Sequence, residues 1–302
     1  MNQKETGFCG LQDYFRCIEA CKKKLAPLSY SSLIDFIHCR LRYKHRKIDG
    51  IEIRPAHLSE AMKIGMAWDT FCNTQFSLEL KLFDTIQSLQ LSPLQMAKYS
   101  ALVRAFNDLE VDLDMKDLLG AQYEIGVPVG DTCITGFVDR AYRDHITEVK
   151  LSGRPDFYWQ RENLYYQLGT PFMTDERWKY ADVQITRVPQ LRTGHGRLSD
   201  ESPDQYEDRI YSDILSRPAH YFIGWDRKTR TYGVRFYRSE FDLDQIFRTY
   251  VHVMDEIKDC CRRDAWYPNH LACHVPAPCQ YLPNKKSGVV SEEIYKRKGV
   301  IK

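Results

Sequence analysis

Residues 120–152 constrain the fold of this chain more than any other stretch. Three segments, "AQYEIGVPV", "TCITGFVDRAY" and "ITEVKLS", are rich in β-branched and aromatic residues. The dipeptides Gly130-Asp131 and Arg143-Asp144 separate them and are typical of tight turns. The pattern predicts a three-stranded antiparallel meander, which serves here as the centre of a mixed sheet.

Helical patterns surround this meander. Residues 31–46 have apolar positions at helical spacing after a serine cluster, which predicts a helix with Cys39 in its middle. The other predicted elements are helices at 57–91, 93–107, 156–168, 204–216 and 240–262, a strand at 181–188 and a hairpin at 221–238. The fold class is therefore α/β, with a mixed central sheet flanked by helices and a helical N-terminal subdomain.

Composition places few limits on function. The chain has 302 residues, with 43 Lys and Arg against 41 Asp and Glu, so any attraction to a polyanion must come from a local patch. It begins without a signal-peptide pattern and has no apolar run of about 18 residues, which predicts a cytoplasmic protein with no membrane partner. Ten scattered cysteines then indicate reduced thiols or metal ligands rather than disulfides.

A pair of carboxylates lies in the predicted meander. With a two-residue turn at Arg143-Asp144, hairpin geometry places Asp139 directly opposite Glu148. Facing carboxylates repel unless a cation lies between them, and Mg²⁺ or Mn²⁺ suits such hard oxygen ligands. Lys150 projects from the same face as Glu148, where its ammonium can assist chemistry on a phosphoryl group. The structural alternative is a solvated hairpin face.

The combination of Gly136-x-x-Asp139, Glu148-Val149-Lys150 and a following helix with "NLYYQLG" resembles the PD-(D/E)XK nuclease superfamily. The similarity is to its RecB-like exonuclease branch, which includes CRISPR-associated adaptation nucleases and phage relatives. It implies a restriction-endonuclease-like core, with Asp139, Glu148 and the Val149 carbonyl as metal ligands. It also implies that Lys150 is catalytic and that Gln167 contacts DNA or water, although Pro171 replaces the usual aromatic of that motif.

An upstream residue is expected to complete the metal site. Members of this branch often carry a histidine four residues after a glycine, and here Asp69 has that spacing from Gly65. Aspartate is a harder ligand than imidazole and suits Mg²⁺. The alternative is that Asp69 is polar helix surface. Glu124, on the first strand of the meander, is a weaker candidate for the same cluster.

The resemblance also implies a [4Fe-4S] cluster that joins the chain ends. Cys39, Cys273 and Cys279 match three expected positions, Lys285 stands where the last cysteine is expected, and Cys260 or Cys261 is the replacement. Two alternatives stay open. His270, Cys273, His274 and Cys279 form a donor set of the kind that Zn²⁺ accepts, and the tail can also lack a metal.

Basic residues form candidate DNA contacts. In "CRLRYKHRK", residues 39–47, Arg40, Lys44 and Lys47 lie on one side of the predicted helix and can follow a phosphate backbone. Lys22–Lys24 form a second patch. Either patch is also compatible with a solvated helix face.

Three regions follow from these patterns: a helical N-terminal region, 1–110; a nuclease core with an accessory hairpin, 111–262; and a cysteine-containing tail, 263–302, which packs on the N-terminal region. The expected function is metal-dependent hydrolysis of single- or double-stranded DNA, most simply as an exonuclease in phage or prokaryotic DNA processing. Recombination or CRISPR-adaptation proteins are the expected partners. The rival hypotheses are an inactive nucleic-acid-binding protein, a scaffold of the same fold, and an RNase.

Overall fold

The computed structural model describes residues 27–75, 82–113, 115–130, 132–158, 162–192, 200–269, 279, 281 and 294–297. Its strands are β1 (Leu28–Ser29), β2 (Ile51–Ile53), β3 (Leu118–Val129), β4 (Thr132–Tyr142), β5 (His145–Ser152), β6 (Tyr180–Arg187), β7 (Val234–Tyr237) and β8 (Tyr295–Arg297). Its helices are α1 (Tyr30–His38), α2 (Arg40–Tyr43), α3 (Glu60–Thr74), α4 (Leu82–Leu89), α5 (Pro93–Asp108), α6 (Glu162–Thr174), α7 (Pro203–Ser216), α8 (Pro218–Tyr221) and α9 (Leu243–Arg263).

The six-stranded main sheet is mixed. Strands β3, β4 and β5 form the predicted antiparallel meander, β5 pairs with β6 in parallel, and β7 returns antiparallel to β6. The short strand β1 adds to β4 in parallel. The predicted fold class, an α/β protein with a mixed central sheet flanked by helices, is confirmed.

Strand β4 is the branch point of this sheet because three strands pair with it. Strand β3 covers one edge along its whole length, from the Tyr142 end to the Thr132 end. The other edge pairs with β1 at 134–135 and with β5 at 140–141. A strand has only two edges, so residues 136–139 face a gap between β1 and β5 in the described sheet.

Helices cover both faces of the sheet. On one face, Val149 packs with Trp68 of α3, Phe106 of α5 and Ile210 of α7 in one buried cluster. On the other face, the side chains of α6 pack against β4, β5 and β6, and α1 and α9 extend that layer. Since successive side chains of a strand point to opposite faces, this double cover places Ile146 of β5 in one apolar layer and Val149 in the other.

The prediction of one continuous helix at residues 31–46 is wrong. Cys39 does not lie inside a helix: it has extended backbone angles, φ −164 and ψ 111, and separates α1 from α2. A π-helical turn, Lys44–Ile48, follows α2. The Cys39 sulfur accepts the Asn269 N–H at 3.4 Å, and Arg40 pairs with Glu256 at 2.5 Å. These long-range contacts outweigh local helix propensity, which is a weak preference.

Two further elements differ from their predictions. The region 57–91 contains two helices, α3 and α4, rather than one. In the predicted hairpin at 221–238, only β7 is a regular strand. The opposite arm makes isolated bridges, Thr186 with Phe222 and Asp226 with Thr231. The arm therefore supports β6 through single contacts rather than through a continuous ladder.

The end of the chain contacts the N-terminal region. Strand β8 pairs antiparallel with β2, and the Tyr281 hydroxyl donates to the Ile51 carbonyl at 3.0 Å. In the part of the chain that the structure describes, no helix has both the length and the apolar character needed to cross a bilayer.

Gly224 is required by the backbone beside β7. Its φ is +78, and a Cβ added there would collide with the backbone carbonyl oxygen of Gly233. We expect Gly224→Ala to destabilise the protein by about 2 kcal/mol, because the left-handed conformation and the collision both oppose a side chain. Thermal unfolding followed by circular dichroism measures this effect.

Gly65 provides the matched control. It lies inside α3, and a Cβ there would meet nothing within 4 Å. Gly65→Ala is expected to stabilise by about 0.5–1 kcal/mol, since alanine is the better helix former. Equal melting temperatures for the two variants would contradict this account of Gly224.

Candidate active site

The site is built where the regular pairing of β4 with β5 ends. The register is the predicted one, with Arg140 paired to Thr147, but Asp139 and Glu148 no longer share backbone hydrogen bonds. Instead, the Asp139 carboxylate accepts the Val149 backbone N–H at 2.7 Å. The side chain of Asp139 thus replaces a backbone acceptor and is fixed in the plane of the sheet.

Lys150 lies between the two carboxylates. Its ammonium nitrogen is 2.8 Å from Glu148 Oε2 and 3.4 Å from Asp139 Oδ2. Sequence reasoning required a cation between Asp139 and Glu148 and assigned that role to a divalent metal. In the structure the Lys150 ammonium takes this position, and it relieves the repulsion between the carboxylates.

Two glutamines hold the carboxylates from opposite sides. Gln167 of α6 donates to Glu148 Oε2 at 2.6 Å, at the position that the helix motif predicted. Gln122 of β3 donates to Asp139 Oδ1 at 3.1 Å. Sequence reasoning missed Gln122, whose φ of +47 is left-handed although it lies inside a strand. Nothing in the local sequence indicates this conformation, which glycine or asparagine would adopt more readily.

Burial dominates the electrostatics of this group. Glu148 is only 2% exposed, and burial, together with the nearby charge of Asp139, raises its pKa to about 7 against the opposing effect of Lys150. Burial lowers the pKa of Lys150, but the Asp139 and Glu148 carboxylates raise it more, to well above its ordinary value. Lys150 therefore stays protonated and acts as a hydrogen-bond donor.

Asp69 belongs to the same electrostatic group. It is half-buried on α3, and burial followed by the charge of Asp139 raises its pKa to about 6, while Lys150 lowers it. Asn73, one turn later, donates to Asp69 Oδ1 at 3.2 Å, and its own Oδ1 is buried without a hydrogen-bond partner. The environment of Asp69 is thus that of a partly desolvated acid near the carboxylate pair.

Glu124 occupies a neighbouring position on β3. It is paired in register with Phe137, two residues before Asp139 on β4. The structure therefore places Glu124 beside the gap in the sheet.

The donor chemistry of the site fits Mg²⁺ or Mn²⁺. The carboxylates of Asp69, Asp139 and Glu148 are hard oxygen donors, and the unpartnered Asn73 oxygen adds another nearby. The N–H and C=O of one residue point to the same edge of a strand, so the Val149 carbonyl faces the Asp139 side. Among the described residues, however, no three His, Cys, Asp or Glu side chains are close enough together to hold a metal ion. The donors thus suit the metal by their chemistry, but the expected metal site is not assembled in this arrangement, in which Lys150 lies between Asp139 and Glu148.

The cysteines expected to form a cluster are divided between two places in the described structure. Cys39 lies at the junction of α1 with the end of α9, where burial, with a smaller effect of the nearby Cys261, raises the pKa of Tyr43. Cys279 packs with Ile51 and Tyr295 at the β2–β8 pair. Cys273, like His270, His274 and Lys285, lies outside the described residues. The described cysteines do not form a four-thiolate site.

The charges of the basic residues predicted to bind DNA are partly compensated by acidic side chains of the protein itself. Arg40 pairs with Glu256 and stacks on Tyr267, and Lys44 lies 3.6 Å from Asp49. Lys47 is exposed on the π-helical turn. Lys22–Lys24 lie outside the described residues.

Comparisons with known proteins add little to this geometry. No protein-family model and no curated protein matches the sequence. Among solved structures, a "Putative exonuclease" from Eubacterium rectale is similar with a TM-score of 0.34 and 14% sequence identity, over 71% of this chain and 85% of that chain. These values do not establish a shared fold, and a shared fold would not by itself establish a shared activity.

The raised pKa of Asp69 predicts how its removal affects the metal-free protein. Asp69→Asn keeps the hydrogen bond from Asn73 but removes a charge that burial and Asp139 disfavour. The folded-state pKa, about 6, exceeds the ordinary value of 3.8, so the stability falls as pH rises from about 3.8 to about 6, and the full cost of ionising Asp69 is present above that range. We expect Asp69→Asn to stabilise the protein by about 1–2 kcal/mol at pH 8.

The pH dependence separates this cause from a packing effect. Wild-type Asp69 is protonated below its ordinary pKa of 3.8 in both folded and unfolded states, so the gain is expected to grow from about pH 4 to pH 7. Denaturant unfolding in EDTA at several pH values measures it. A gain that is the same at pH 4 and pH 8 contradicts the electrostatic explanation.

Proposed function

We propose that this protein is a metal-dependent nuclease that hydrolyses DNA phosphodiester bonds. One observation carries the proposal: Asp139, Glu148 and Lys150 converge at the gap beside β4. Val149 and Gln122 donate hydrogen bonds to Asp139, Gln167 donates to Glu148, and Lys150 donates to both carboxylates. Two carboxylates with an ammonium beside them are suited to phosphoryl transfer, in which charge develops on several oxygens at once.

Each side chain has a definite role in this proposal. Asp139, Glu148, Asp69 and the Val149 carbonyl would hold the metal, which lowers the pKa of a bound water and stabilises charge on the phosphoryl group. Lys150, protonated at neutral pH, donates hydrogen bonds to a phosphate oxygen or orients the attacking water. Because Glu148 is buried, these electrostatic interactions are stronger than they would be in water.

We propose that this nuclease is an exonuclease. It would act in phage or prokaryotic DNA processing, recombination or CRISPR adaptation. One observation favours an alternative. The Lys150 ammonium contacts both carboxylates and offsets part of their charge, as expected of a binding protein that keeps the fold but has lost turnover. Removal of Lys150 distinguishes the two functions.

Lys150→Ala is expected to lower DNA cleavage by at least about 100-fold, since it removes a cation that contacts both carboxylates. End-labelled linear and closed circular DNA, single- and double-stranded, are incubated with Mg²⁺, Mn²⁺ or EDTA. An exonuclease degrades the linear forms only, and only with a metal. The same assay with RNA tests the RNase hypothesis.

Lys179→Ala is the control. Lys179 is exposed just before β6, so this substitution removes the same charge as Lys150→Ala but outside the site. It is expected to cleave like the wild type. If wild type and Lys150→Ala bind DNA equally but neither cleaves any substrate, the protein is a binding module and the nuclease proposal is wrong.

Gln122 is expected to act as a positioning residue. Gln122→Ala removes the hydrogen bond to Asp139 Oδ1 and is expected to lower kcat about 10-fold with little change in KM. Gln122→Gly removes the same hydrogen bond but relieves the left-handed backbone, so it is expected to be more stable than Gln122→Ala. Both variants should lose kcat alike. A wild-type kcat in Gln122→Gly would show that the hydrogen bond to Asp139 is not needed for turnover and would contradict the positioning role.

A further inference from the structure

Phe137 is unusual among the apolar residues of this protein. At 61% exposure it is more exposed than any other large hydrophobic side chain in the described part of the chain. On the same strand, Ile134 and Val138 are fully buried. An exposed aromatic ring can serve as a stacking surface for a nucleobase.

The position of Phe137 relates it to the candidate active site. It lies two residues before Asp139 on β4, about 7 Å along the strand. Ile134 and Val138 pack into the layer of α1, α6 and α9, so alternation turns Phe137 to the other face, where α3 carries Asp69. It also stands at the gap where neither β1 nor β5 covers β4.

The surroundings of Phe137 decide what it can bind. Its ring offers a flat apolar surface and no hydrogen-bond donor, and Glu124 is its direct cross-strand neighbour. An apolar ring without a hydrogen-bond donor has nothing to offer a phosphate oxygen, whereas the π-face of a base stacks on an aromatic ring regardless of base identity. The chemistry therefore favours a base rather than the backbone.

We infer that Phe137 is a stacking platform for an unpaired nucleobase next to the scissile phosphodiester, which makes single-stranded DNA the preferred substrate. This inference rests on the proposed nuclease function and adds its substrate class. A base inside a duplex already stacks on both neighbours, so its faces are not accessible to the ring. An unpaired base has a face available at no cost in unstacking.

Binding measured without cleavage tests this inference. A fluorescein-labelled single-stranded oligothymidylate is titrated with protein in EDTA, and fluorescence anisotropy gives Kd. Phe137→Ala is expected to raise Kd about 10-fold, Phe137→Trp to retain binding, and Phe137→Leu to bind like Phe137→Ala because it lacks a π-face. Tyr237→Ala, which removes another exposed aromatic, from β7, is expected to bind like the wild type.

A second readout reports the contact itself. The tryptophan emission of Phe137→Trp, taken as the difference from wild type, is expected to be quenched by the single strand and much less by a blunt duplex. Wild-type affinity in Phe137→Ala, or full affinity in Phe137→Leu, would overturn the stacking role.

The results also separate this inference from the proposed function. If the wild type cleaves DNA and Phe137→Ala binds and cleaves equally well, the nuclease stands and the stacking platform is wrong. If the wild type does not cleave but its binding depends on an aromatic ring at 137, the base-binding site stands without catalysis. A wild type that neither binds nor cleaves DNA overturns both.

Discussion

The hydrogen bond from the Val149 backbone N–H to the Asp139 carboxylate is the interaction on which the site depends. A buried N–H at the end of a ladder needs an acceptor, and its loss costs about 1–3 kcal/mol. Asp139 supplies that acceptor after the regular pairing of β4 with β5 has ended at Arg140 and Thr147. The same carboxylate therefore closes the sheet and faces Lys150, so its structural and chemical roles cannot be separated.

Charge balance limits how this group can be built. Asp69, Asp139 and Glu148 bring three acidic groups near one ammonium, and burial raises the pKa of Asp69 and Glu148. Lys150 offsets part of this excess through its two short contacts. The remaining acidity is unfavourable for the fold alone and is what a divalent cation would complete. Such local instability is characteristic of functional sites, where activity opposes stability.

The parts of the site that depend on neighbouring residues in the sequence could be predicted. The parts that depend on contacts between distant segments could not be predicted. The meander follows from alternating composition and two short turns, and the turn at Arg143-Asp144 fixes the register that brings Asp139 near Glu148. Gln122 was missed because its left-handed backbone depends on the strand beside it. Cys39 was placed inside a helix because the contacts that interrupt it come from Glu256 and Asn269, far along the chain.

The gap beside β4 explains how residues 136–139 can be reached by a ligand although they belong to the central sheet. If β5 or β1 continued along this edge, ordinary ladder bonds would occupy residues 136–139 and no ligand would reach them. Because both strands stop short, a stretch of roughly 13 Å has no strand partner on this edge in the described sheet, although β3 pairs with its other edge. It contains Asp139, held rigidly, and Phe137, exposed on the α3 side. In the proposed nuclease, this gap would admit a single nucleic-acid strand to Asp139 and Phe137.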